Sequence, residues 1–219
     1  MRLIAACGLA LVCVACAEAP EPAPAPTAPE PVNLTINPAR IDRARDALPG
    51  GYEVTGYTGA PTPFATWGFR EVPVSDPPQC AALGAPPTDP ATARGWSASG
   101  PGGIVFAVVA RAAPTPAPDP AIDAACARWT VTSGQTSGTV DTLAGPDIRA
   151  ATTTGMRTSA VTTVEGGTET RSHADTFVAH LDDFVCFVAV VTDPGSPQPA
   201  LAPAFASDLL TETVSTLRG

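Results

Sequence analysis

Lysine is absent from the 219 residues, and 12 arginines face 21 acidic residues, leaving a formal charge of −9 and an isoelectric point near 4.5. A chain this short of positive charge has no basic face with which to replace phosphate counterions, so nucleic-acid binding is excluded. Electrostatic docking on anionic lipid headgroups is disfavoured for the same reason. Histidine occurs only twice, at His173 and His180, no H-x-x-x-H spacing is present, and the C-x-x-C spacing occurs only at Cys13–Cys16 in the N-terminal apolar segment, not among Cys80, Cys126 and Cys186, so neither a zinc site nor any other cofactor is expected. Gly100-Pro101-Gly102-Gly103 lacks the Lys-Ser/Thr of a phosphate loop and reads as a turn. G-x-S-x-G is also missing; 95–100 (GWSASG) comes near it without matching.

Proline (26) and glycine (19) are abundant, and hydrophobic residues make up 44%, enough for one core with long loops or a tail. Met1-Arg2 is followed by an apolar run over 3–15 that ends in Cys13-Val14-Ala15-Cys16. Thirteen residues are too few to span a bilayer and fit a secretory signal. Small residues before a cysteine at that point resemble the lipobox of bacterial lipoproteins, which implies a signal peptide over 1–15, lipid attachment at Cys16 and anchorage on the outer face of the cell membrane. An ordinary signal peptide cut at Ala15 or Ala17 is the alternative. Residues 16–33 read as the lipidated cysteine and a Pro/Ala-rich tether, because six prolines between 20 and 31 forbid helix and sheet.

A single α+β domain is expected over 34–219. Asn37-Pro38 is a helix start, and Ile41, Ala44 and Leu48 share one face of the helix that follows. Residues 52–57, 104–110, 129–132, 138–143, 156–164, 168–180 and 184–192 read as strands, and 59–78 as a loop containing Trp67. Asp119-Pro120 opens a short helix through Cys126. Phe205, Leu209, Leu210, Val214 and Leu217 form the apolar stripe of a closing helix. These elements predict one antiparallel sheet of about five to seven strands packed against a few helices. Two-residue turns at Gly166-Gly167 and Asp182-Asp183 would set Phe177 opposite both Met156 and Val188. Phe177, Met156, Val164, Phe184, Cys186 and Val188 would then share the face covered by helices.

Outside the export segment three cysteines remain, Cys80, Cys126 and Cys186. In an oxidising compartment at most one pair forms. Cys80 and Cys126 lie in short adjustable segments and are the expected disulfide, whereas Cys186 sits inside an apolar strand and reads as a buried thiol. Ser172-His173-Ala174-Asp175 places His173 and Asp175 on one strand face, which admits a hydrolytic site if a serine joins them, or a simple hydrogen-bonded strand histidine. Trp67, in a Gly/Pro loop, and His173 are the candidate ligand contacts; no catalytic or metal-ligating residue is assigned.

The segments 93–110 (ARGWSASGPGGIVFAVVA), 172–181 (SHADTFVAHL) and 191–197 (VTDPGSP), behind a lipobox and a Pro-rich tether, resemble a family of mycobacterial lipoproteins of unknown function, over about residues 36–219. More distantly, the element order, Cys80 and 126–131 (CARWTV) are similar to the extracellular sensor domain of the mycobacterial kinase PknH. That resemblance implies an antiparallel sheet with helices; the sensor domain has two disulfides, and this chain has cysteines for one. The expectation is therefore an exported cell-envelope lipoprotein presenting a non-enzymatic, sensor-like or ligand-binding domain, its partners being the membrane through Cys16 and an envelope lipid, glycan or protein. A Ser/His hydrolase, or a structural or adhesive envelope protein, is the alternative.

Overall fold

The computed structural model describes residues 34–69, 71–114, 121–193 and 195–219. The signal segment, Cys16, the tether and the Asp119-Pro120 helix start lie outside them. Nine strands build one antiparallel sheet: β1 (Glu53–Gly56), β2 (Val74–Asp76), β3 (Thr88–Gly100), β4 (Gly103–Ala112), β5 (Arg128–Ser133), β6 (Thr136–Ala144), β7 (Thr152–Thr163), β8 (Glu169–Leu181) and β9 (Phe184–Thr192). Their spatial order is β1-β3-β4-β9-β8-β7-β6-β5-β2. The α+β class is as expected, but the sheet exceeds the five to seven strands read from the sequence. The additions are β2, a three-residue edge, and β3, whose Gly, Ser and Ala residues carry little strand propensity. β3 is held by position instead. Trp96 and Ala98 point into the core, and Gly95 lies so close to β4 that a Cβ there would strike the Ala107 carbonyl.

The β8–β9 turn uses two residues, with Leu181 facing Phe184 and Phe177 facing Val188, as expected. The β7–β8 turn uses three. Val164 N–H donates to Thr168 O at 2.9 Å, and Gly166 and Gly167 both take positive φ, 90° and 79°. The extra residue slips the register by one, so Gly155, not Met156, faces Phe177, and Met156 faces Thr176. Gly155 leaves room for the Phe177 ring, which a Cβ would strike. A one-residue slip exchanges faces. Met156 therefore packs on the side opposite to the one expected, and Val164 is exposed in the turn.

Both sheet faces are covered. On one, a 3-10 helix (Pro38–Ala47) and a closing α-helix (Phe205–Arg218) pack against the sheet. Ile41, Ala44, Leu209, Leu210, Val214 and Leu217 meet Val105, Phe177, Cys186 and Val188 there. Asn37 caps the first helix by accepting from Ala39 N–H at 3.1 Å, and Trp96 Nε1 donates to Ile41 O at 3.0 Å. On the other face, the irregular segment after β1 lays Phe64, Trp67 and Phe69 over Trp129, Val140, Met156 and Phe187. Cys80 and Cys126 form the expected disulfide, Cα to Cα 5.6 Å, with both residues wholly buried. Cys186 is a buried free thiol, its pKa pushed up to about 12 by burial.

Candidate functional site

The helices cover only part of their face. Toward β5, the side chains on that same face are exposed or half-buried, and the strand register arranges them in two rows across the sheet that run from β5 to β9, where Val190 is buried. One row runs Thr130, Thr139, Ser159, His173, Thr192, each facing the next on the neighbouring strand. The other runs Arg128, Asp141, Arg157, Asp175, Val190. The second row alternates in sign. Arg128 pairs with Asp141 at 3.2 Å and Arg157 Nε with Asp175 Oδ1 at 2.8 Å. The Asp175 hydrogen bond and charge, with Asp141 adding to them, push the Arg157 pKa further up. Four charges thus cancel along one row, and a row rich in hydroxyl groups runs beside it.

Both rows end in a small cavity of about 70 Å³ where β8 and β9 meet residues 200–203, just before the closing helix. His173, Asp175, Val190 and Thr192 line one side; Leu201 and Pro203 line the other. His173 is exposed, with Nδ1 3.0 Å from Ser159 Oγ. Among the described residues, His173 Nε2, Asp175 Oδ2 and the Thr192 hydroxyl carry no hydrogen bond. The cavity is therefore lined by three polar side chains, His173, Asp175 and Thr192, against an apolar wall. The alternation of residues 172–175 puts His173 and Asp175 on one face but does not mark their partners. Ser159 and Arg157 lie opposite them only in the slipped register; a two-residue turn would have set His173 against Ala160.

The serine, histidine and acid do not form a relay. Ser159 meets His173, while Asp175 is engaged by Arg157. The near-match at 95–100 lies within β3 rather than on a strained turn. Trp67, expected as a ligand contact, is a core residue: it is 2% exposed, and its Nε1 donates to the buried Thr176 hydroxyl at 2.9 Å. A Gly/Pro-rich context does not keep an indole at the surface when a sheet face beneath it needs covering. His180, near the β8–β9 turn, is half-buried on that opposite face, and burial lowers its pKa against the opposing pull of Asp123. Among the described residues no three His, Cys, Asp or Glu side chains are placed to hold a metal ion together. No helix among them is long and apolar enough to cross a membrane.

No curated protein matches the chain. Among solved structures, the chain is similar to the Mycobacterium smegmatis ortholog of Rv0999, an uncharacterized protein. That match has 19% identity and a TM-score of 0.59, and covers 84% of this chain and 98% of that one. The likeness concerns the fold. The extracellular domain of PknH from Mycobacterium tuberculosis aligns at 13% identity and a TM-score of 0.44, covering 84% of this chain and 92% of that domain. Residues 37–218, which span the sheet, both helices and the polar rows, match DUF5642, a domain of unknown function; the chain belongs to that family.

Proposed function

We propose that the protein is an exported cell-envelope lipoprotein, anchored through Cys16, whose α+β domain binds a ligand rather than catalysing a reaction. The observation that carries the compartment is the Cys80–Cys126 disulfide. Such a bond persists outside the reducing cytosol, in keeping with the signal-like segment and lipobox at residues 1–16. Binding is favoured over hydrolysis by the engagement of Asp175 with Arg157, which leaves the Ser159–His173 pair without an acid to orient the imidazole. The polar cavity where β8 and β9 meet residues 200–203 is the site this reading assigns to a ligand.

The test is membrane fractionation of the full chain and a Cys16→Ala variant. The variant should leave the membrane fraction while keeping the Cys80–Cys126 bond on non-reducing peptide mapping. A variant that stays with membranes contradicts anchorage at Cys16. Hydrolysis of generic ester substrates by the purified protein, lost in Ser159→Ala, would overturn the binding reading in favour of the hydrolase.

A further inference from the structure

We infer that the cavity at the end of β8 and β9 recognises a neutral hydroxylated ligand, a single sugar residue whose edge enters the cavity while its ring lies along the hydroxyl row. This deepens the ligand-binding reading above and rests on it. Charge selects the class. Asp175 is neutralised by Arg157 at 2.8 Å, and Arg128 by Asp141 at 3.2 Å. A cationic ligand would compete with Arg157 for Asp175, and an anion would meet the Asp175 carboxylate in the same cavity. A neutral ligand disturbs neither pair.

Hydrogen-bonding chemistry narrows it further. A carboxylate oxygen accepts, an imidazole nitrogen accepts or donates according to tautomer, and a threonine hydroxyl does both. Asp175 Oδ2, His173 Nε2 and the Thr192 hydroxyl are all without partners among the described residues. Together they suit adjacent ligand hydroxyls, which both donate and accept. Leu201 and Pro203 on the facing wall suit the C–H face that a pyranose presents on its other side. A volume of about 70 Å³ is far below the several hundred Å³ of a pocket that swallows a drug-sized molecule. One substituent such as a hydroxymethyl group enters, and the rest of the ring lies over His173 toward Ser159 on the neighbouring strand; with strands about 4.8 Å apart, Thr139 and Thr130 lie beyond the reach of one ring.

The two histidines make the test direct, because His173 is on this face and His180 on the opposite one. Imidazole resonances of the full chain would be followed by NMR during titration with methyl glycosides of glucose, galactose, mannose and arabinose, and separately with sodium sulfate. At least one glycoside should shift His173 saturably while His180 stays fixed, and sulfate should not. Thr192→Val and Leu201→Ala should each weaken that binding about tenfold, with an unchanged His180 signal reporting an intact fold. The inference is overturned if no glycoside moves His173, if sulfate moves it equally, or if both variants bind as the parent does. Any of these leaves the anchorage and compartment tests above untouched. A lipid or peptide that shifts His173 where sugars do not keeps the binding reading and removes the sugar.

Discussion

The two covers of the sheet are built differently. On one face, the helices Pro38–Ala47 and Phe205–Arg218 satisfy most of their own backbone groups and present an apolar stripe. On the other, the segment from Tyr57 to Ala85 contributes short 3-10 and α-helical turns and the three-residue strand β2. It contributes little backbone pairing beyond them, and is fastened by side chains: the Cys80–Cys126 bond, the Trp67–Thr176 hydrogen bond and the edge-on contacts of Phe64 with Trp67, Phe69 and Trp129. A helix brings its own hydrogen bonds to a hydrophobic contact. An irregular cover does not, and needs a covalent staple and large aromatic anchors to offset the entropy of ordering it.

The largest effect should come from the staple. Replacing Cys80 and Cys126 together by serine removes a cross-link between residues 46 positions apart and should cost about 4 kcal/mol on the chain-entropy scale. Urea unfolding measures it, and a loss below about 1 kcal/mol would mean that the irregular cover holds itself. On the helical face, Leu210→Ala removes a wholly buried side chain and should cost about 3 kcal/mol. That loss should be the same whether the disulfide is intact or reduced. Coupling between the two changes would show that the covers are not independent.

Trp67→Phe should cost about 2 kcal/mol, because it leaves the buried Thr176 hydroxyl without its indole donor. Thr176→Val in the same background should recover part of the loss. The smallest effect per step is alkaline. The Cys186 thiol is held protonated in the fold to about pH 12, against 9.0 for the free group. Between those values the unfolded chain has released a proton that the folded chain keeps, so stability falls as pH rises, by about 1.4 kcal/mol per pH unit. Tyr52 and Tyr57, whose pKa values burial also raises, add to the decline. Cys186→Ala should flatten most of it in pH-dependent urea titrations, and an unchanged slope would place the cause elsewhere.

The same contrast explains what the sequence disclosed. The helical cover was legible because Phe205, Leu209, Leu210, Val214 and Leu217 repeat at helical spacing, and the apolar runs of β4 and β9 announce buried strands. The disulfide followed from compartment, parity and the apolar surroundings of Cys186. The irregular cover carries no period, so nothing marked Trp67 as core rather than surface. β3 was hidden because its place in the sheet is set by contact with β4 and β1 rather than by its own residues. The polar rows escaped for a different reason. Arg157 with Asp175, and Ser159 with His173, are neighbours only across a hairpin whose turn holds three residues, and Gly166-Gly167 is compatible with either length. One residue in a turn decided which side chains meet at the candidate site.

Hydrogen exchange of the intact protein, followed by mass spectrometry with and without reductant, tests most directly whether the domain completes its fold only in an oxidising compartment. Reduction should strip protection from the Trp67 segment, including peptides spanning residues 61–87, while Phe205–Arg218 and its partners β4 and β9 stay protected. Equal protection of both covers in the reduced protein, or loss from the closing helix first, would contradict the account.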